Sequence, residues 1–286
     1  MKSIIYILIA VFAAGIIFKA IPQNYNNKKT ESTFQCTDNY ANNEMIEQSA
    51  LVMKFRLDNI GLEEQYQLDI NYQNKTINIQ SEETITPIIN SGFLTAKAQV
   101  ELYECYSRKE VLGLLKNDST LFDLMTIPEQ NSSMVSDAIL GYCNTQNIPL
   151  VNSYITEHYS SSVIEGINFI WSNTPNSENL YELYLLKKHP AMNKSLISDS
   201  HVDEDATGLL IQFNKQGSEK WFNLTNTNIN KPIAFVVDQK VCFAPVVKEA
   251  INSGSCMLTG DFSVEELKLI SILINSDELL LNWKHK

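Results

Sequence analysis

The residues that could do chemistry are few and scattered. His201, Asp203, Glu204 and Asp205 bring an imidazole and three carboxylates close together in sequence, a donor set that suits a divalent cation. Near-adjacent residues rarely converge on one ion without a scaffold, so this run is read as a solvated loop. The remaining histidines, His158, His189 and His285, form no H-E-x-x-H or similar pair. Serine is abundant, yet no G-x-S-x-G elbow, C-x-x-C or P-loop occurs. No nucleophile, base and orienting group can be assembled. No catalytic residue, cofactor site or metal ligand is therefore expected, and the chain is read as non-enzymatic.

Charge and composition narrow the partners. The 286 residues include 22 basic and 33 acidic ones, a formal charge of −11, which repels nucleic acid and anionic lipid alike. At 44% hydrophobic, the chain can bury one sizeable core or two modest ones. The start departs from this soluble composition. Met1-Lys2 leads into an apolar run from Ile4 to Phe18, closed by Lys19 and followed by Pro22. Residues 1–21 are expected to be a membrane anchor or signal segment. Cleavage after Ala13-Ala14-Gly15 would cut within the run, so an uncleaved membrane helix is the reading. No polar face interrupts it, which argues against a buried helix of a soluble protein.

The elements that would position any site follow from periodicity. Residues 22–43 are polar and lack an apolar period, so they are expected to form an exposed tether. Met45, Ile46, Met53, Phe55, Leu57 and Ile60 carry helical spacing, and Gly61 stands at the C-terminal cap. Tyr66 to Tyr72 and Ile77 to Ile79 alternate about a turn at Gln73-Asn74-Lys75, which makes a hairpin. A short helix near Thr86 to Asn90 and a strand from Ala98 to Tyr106 follow. Helix, two strands, helix, strand is most of a ferredoxin-like unit. In the middle, helices are predicted over Glu110 to Lys116 and Ser133 to Thr145, then a buried strand over Tyr181 to Leu186. Further on come a strand over Gly208 to Phe213 and a helix over Ser218 to Leu224. A hairpin, Ile233 to Val237 with Lys240 to Phe243, turns at Asp238-Gln239, and a short strand covers Met257 to Thr259. Ser263-Val264-Glu265-Glu266 has capping-box form before a helix whose Leu267, Ile270, Leu273 and Ile274 share one face.

From Gly208 to Leu280 the chain resembles the head part of the SecD periplasmic domain. The residues that carry this are Leu210-Ile211-Gln212-Phe213-Asn214 with Gly217, Trp221-Phe222-Asn223-Leu224-Thr225 with Asn228, and Lys231 to Asp238. Ala244-Pro245-Val246-Val247 and Leu258 to Glu266 complete the series. Upstream, Arg56 to Leu62 resembles the family's first helix with its glycine stop. Val100 to Tyr106 resembles the strand where base passes into head, as written in SecD fused to SecF. The resemblance implies an α+β fold, with a ferredoxin-like base over 44–106 and a small α+β head over 107–281, preceded by one N-terminal membrane helix. Departures are plain. The family's D-L-x-G-G segment and long stretch before the first helix are replaced by the short tether, which implies that one base strand is missing. Asp238-Gln239 replaces the usual Asp-Gly turn, and Asn275-Ser276-Asp277 stands where the family has a glycine before its second span. No later apolar run supplies the family's membrane bundle, so no proton-driven motor is expected.

In that head, Cys242 and Cys256 are the candidate disulfide pair of five cysteines, an oxidising envelope permitting the bond; two small buried thiols are the alternative. Trp221, Phe222 and Phe243, with Phe235, could line a groove for extended polypeptide. Strand alternation and the helix face already place Phe235 and Trp221 in a core. The resemblance implies a single-pass protein of the inner membrane with its main domain on the periplasmic side. It would bind Sec translocase subunits or exported polypeptide. The alternative is an interaction module of another envelope complex with no export role.

Overall fold

The computed structural model describes residues 29–82, 86–115, 118–128, 137–159, 166–205, 208–259 and 263–286. The anchor expected over 1–21 lies outside them; among the described residues no helix is long and apolar enough to cross a membrane. In chain order the elements begin β1 (Lys29–Cys36), α1 (Asn43–Asn59), β2 (Tyr66–Asn71), β3 (Thr76–Glu82) and α2 (Thr86–Asn90). Next come β4 (Val100–Glu104), α3 (Arg108–Leu114), α4 (Ser119–Asp123), β5 (Ile139–Cys143) and α5 (Ile148–His158). β6 (Ile167–Trp171), β7 (Tyr181–Lys187), β8 (Met192–Asn193), β9 (Ile197–Val202) and β10 (Gly208–Phe213) follow. The chain closes with α6 (Lys215–Thr227), β11 (Ile233–Val237), β12 (Lys240–Phe243), β13 (Ser255–Thr259), α7 (Val264–Asn275) and β14 (Trp283–His285). Every sheet is antiparallel in its ladders.

Two compact units result. The smaller holds residues 29–98 and 263–286, and the larger holds 99–259. In the smaller, the sheet order is β14-β1-β3-β2, with α1 between β1 and β2 and α7 between β3 and β14. That is the β-α-β-β-α-β succession of a ferredoxin-like unit. It is reached by a different strand set from the one expected. β4 belongs to the larger unit, and the first strand is drawn from the stretch read as a polar tether. Ser32, Phe34 and Cys36 alternate inward along β1, with Glu31, Thr33 and Gln35 as the outward half of a period of two, and no base strand is missing. The last helix, expected within a head over 107–281, packs here too, together with the strand that follows it: Ile272, Leu279, Leu281 and Trp283 share one core with Ile46, Met53, Leu57, Ile77 and Ile79.

In the larger unit, β12-β11-β4-β8 and β5-β7-β6 form two sheets joined at both sides. Cys105 bridges Leu186 next to β4 and β7, and Ser172 bridges Val241 next to β6 and β12. The strands β4, β7, β6, β12 and β11 thus follow one another around a ring. Its interior is Tyr103, Cys105, Tyr184, Leu186, Ala234, Val236 and Val241. β7 is buried on both faces, as its sequence suggests, because Leu183 and Leu185 turn outward into a second core under α3, α4 and α5. Of the helix predicted over Ser133 to Thr145, residues 133–136 lie outside the described residues and 139–143 form β5 instead: Ala138 to Cys143 is a short apolar run, which periodicity alone assigns equally to either element.

The third sheet, β13-β10-β9, adjoins α6. Gly217 makes that approach feasible, since a Cβ there would stand 2.2 Å from the Leu196 carbonyl oxygen.

Candidate polypeptide-binding surfaces

α6 begins at Asn214, whose side chain accepts from the Gly217 amide, and it turns Trp221, Leu224 and Thr225 inward. Trp221 is only 3% exposed and sits in a series of rings: 5.2 Å from Phe213, then 6.2 Å to Phe235, which is 4.8 Å from Phe243. Trp221 and Phe243 are therefore core residues and cannot line a groove for an incoming chain. Phe222, about 100° further round the helix, is 39% exposed, and Ile229 beyond the helix end is exposed as well.

The candidate disulfide is not formed. All five cysteines are free thiols; Cys242 and Cys256 stand on β12 and β13, strands of different sheets. Cys242 is the extra residue of a bulge, between the pairs Phe235–Phe243 and Val236–Val241. Burial pushes the Cys242 thiol up to about 12, despite a backbone hydrogen bond that opposes it, and burial raises Cys256 too. Such thiols are poor nucleophiles near neutral pH.

Asp118, Glu182, Asp199 and Asp203 of the larger unit are likewise occupied locally. Asp118 caps α4, accepting from the amides of Thr120 and Leu121 and from the hydroxyls of Tyr154 (2.8 Å) and Tyr159. Burial acts to raise its pKa, but these donors outweigh it and hold the carboxyl below the usual range. Glu182 goes the other way: burial raises it, and the Tyr184 hydroxyl only partly opposes that. His201 lies on β9 with Nδ1 3.0 Å from Asp199, and Asp203 accepts from the Gly208 amide. Among the described residues no group of three or more His, Cys, Asp or Glu is placed to hold a metal.

A concave, partly apolar surface lies in the smaller unit. A groove of about 670 Å³ is lined by Met45, Leu51, Val52 and Phe55 of α1 and by Asp277, Glu278 and Leu280 of the segment after α7. Leu51, Phe55 and Leu280 are 60%, 39% and 59% exposed. Two buried or tethered cations fix the walls. Arg56, fully buried on α1, donates through one terminal nitrogen to the carbonyls of Phe93, Leu94 and Ala96 and through Nε to the Ser276 hydroxyl at 3.3 Å. Lys97 donates to the Leu280 carbonyl at 3.0 Å, while its own carbonyl accepts from the Leu279 amide. Periodicity in the sequence uses Phe55 only to mark the helix and does not single out this surface. Leu51 and Phe55, four apart, form a second stripe beside the buried Ile46, Ala50, Met53 and Leu57, and that spacing was the available signal.

Comparison with known proteins agrees with the resemblance drawn from Gly208 to Leu280. Residues 171–281 match the family model described as SecDF, P1 head subdomain. The chain is 35% identical over 86 residues to the protein translocase subunit SecD of Acidaminococcus fermentans, covering 29% of this chain and 21% of that protein. With SecD of Rickettsia typhi it shares 25% identity over 245 residues, 83% of this chain and 37% of the relative. A crystal structure of SecDF in its super-membrane-facing form matches with a TM-score of 0.52 at 16% identity, covering 89% of this chain and 29% of that one, which supports the shared fold. The chain is thus similar to the periplasmic domain of SecD, while spanning only about a fifth to just over a third of these curated relatives. The family match runs through α7, although α7 packs with the smaller unit.

Proposed function

We propose that this chain is a SecD-like, non-enzymatic module that works in protein export by holding polypeptide or a translocase subunit on the extracytoplasmic side, tethered through its N-terminal apolar segment. The observation that carries this reading is the match of residues 171–281 to the SecDF P1 head, reinforced by a sheet-and-helix body that shares its fold with SecDF. The surface chemistry supports it. Apolar side chains stand exposed at Phe222 and Ile229 in the larger unit and at Leu51, Phe55 and Leu280 in the smaller. β9 and β13 are the outer strands of their sheet, where an extended segment could add main-chain hydrogen bonds. Such contacts hold a chain without altering it.

Site-specific photocrosslinking from position 222 in intact cells tests the proposal. Recovery of translocase subunits or secretory precursors is expected. Recovery of unrelated envelope proteins alone would overturn the export role in favour of an interaction module of another complex.

A further inference from the structure

The groove on α1 has a floor and a rim of opposite character. Leu51, Val52, Phe55 and Leu280 present carbon, whereas Asp277 and Glu278 place two exposed carboxylates on the facing wall. Along the helix, Glu47 precedes Leu51 by one turn, so the apolar stripe has an acidic residue at its N-terminal end. A smaller recess further along, lined by Lys54, Asp58, Glu63, Glu64, Tyr66 and Leu68, adds Glu63 and Glu64 to the acidic margin. The nearby cations already have partners: Lys54 pairs with Asp58 at 2.7 Å, and Lys97 binds the Leu280 carbonyl.

We infer that this groove binds a short apolar polypeptide segment flanked by lysine or arginine. Its apolar side chains would cover Leu51, Phe55 and Leu280, removing them from water. Its flanking cations would meet Asp277 and Glu278, an arrangement that selects by charge and guides approach more than it adds affinity. A second copy of this chain is a poor occupant, because the same face would set carboxylate against carboxylate. An anionic membrane surface is repelled for the same reason. The inference rests on the export reading and deepens it, naming the kind of segment held and placing the contact on the smaller unit.

The test uses the full chain and two fluorescent synthetic peptides with the same leucine-rich centre, one flanked by lysines and one by glutamates. Anisotropy is expected to show the lysine peptide binding about tenfold more tightly, with the preference shrinking as salt is raised. Leu51→Asp, at an exposed position, should leave the melting temperature unchanged and weaken binding about tenfold or more. The double variant Asp277→Lys with Glu278→Lys should shift preference to the glutamate peptide. Equal binding of the two peptides, wild-type affinity in a folded Leu51→Asp, an unshifted preference in the charge-reversed variant, or self-association of the chain through this face would each overturn the inference. The position-222 crosslinks separate the two claims. Precursor or translocase adducts without peptide binding defeat only the groove assignment, and peptide binding without such adducts defeats only the export role.

Discussion

Arg56 and Arg108, the two arginines among 22 basic residues, are both buried, and both direct their guanidinium at backbone carbonyls. A planar fork with several donors can satisfy a cluster of oxygens that a lysine cannot, which is why arginine stands at these two points in a chain that otherwise uses lysine. Replacing Arg56 with Met strands the Phe93, Leu94 and Ala96 carbonyls and releases Ser276; urea denaturation of the smaller unit should show a loss of about 3 kcal/mol. None of this was legible in sequence, where Arg56 falls on the apolar stripe and reads as a surface charge. Asp118, with Asp38, Asp58 and Glu110 shifted the same way, contributes to the pH dependence at this scale. Its folded pKa is depressed, so its stabilisation is complete above the ordinary aspartate range near 4 and fades as pH falls through the lowered value. Melting temperatures recorded from neutral to acid pH should fall on that limb in the wild type and fall less in Asp118→Asn.

At the scale of elements, the hairpins were readable because alternation and turn residues agree. β11 and β12 turn at the residues read from the sequence, and both Asp238 and Gln239 take left-handed backbone, with φ of 49° and 61°. Glycine suits the second position better, so Gln239→Gly should raise stability by about 0.5–1 kcal/mol in thermal or urea melts; a loss would show that the Gln239 side chain matters more than its backbone. The capping boxes at Ser263 and Ser107 illustrate both outcomes. The first was legible as Ser-x-x-Glu before an apolar period, while the second, of the same form, was overlooked where the middle of the chain lacks a clear period. β1 escaped notice because Thr30, Ser32 and Thr33 hide its alternation. Its buried Ser32 shows that an inward position need not be apolar.

At the scale of the whole molecule, what sequence could not reveal was which distant pieces join. β1 pairs with β14, Cys36 opposite Trp283, so the smaller unit is completed only by the last residues of the chain. Local patterning carries no information on such a pairing, and its closure over so long a loop is the kind that slows folding. Truncation after Asn275 removes Leu279, Leu281 and Trp283 from the core they share with Phe34 and Met53. Hydrogen exchange should then show β1 to β3 losing protection while β4 to β13 keep theirs; retained protection in β1 would contradict the assignment of the C-terminal strand to that core. The head resemblance, by contrast, was readable because Gly208 to Leu280 keeps its motifs contiguous and in order. The proposed role of this SecD-like body is to assist export by binding. Pulse-labelling of secretory precursors in cells with and without the chain decides it: slower precursor maturation is expected in its absence, restored by the wild-type chain, and identical maturation kinetics in both strains would rule that role out.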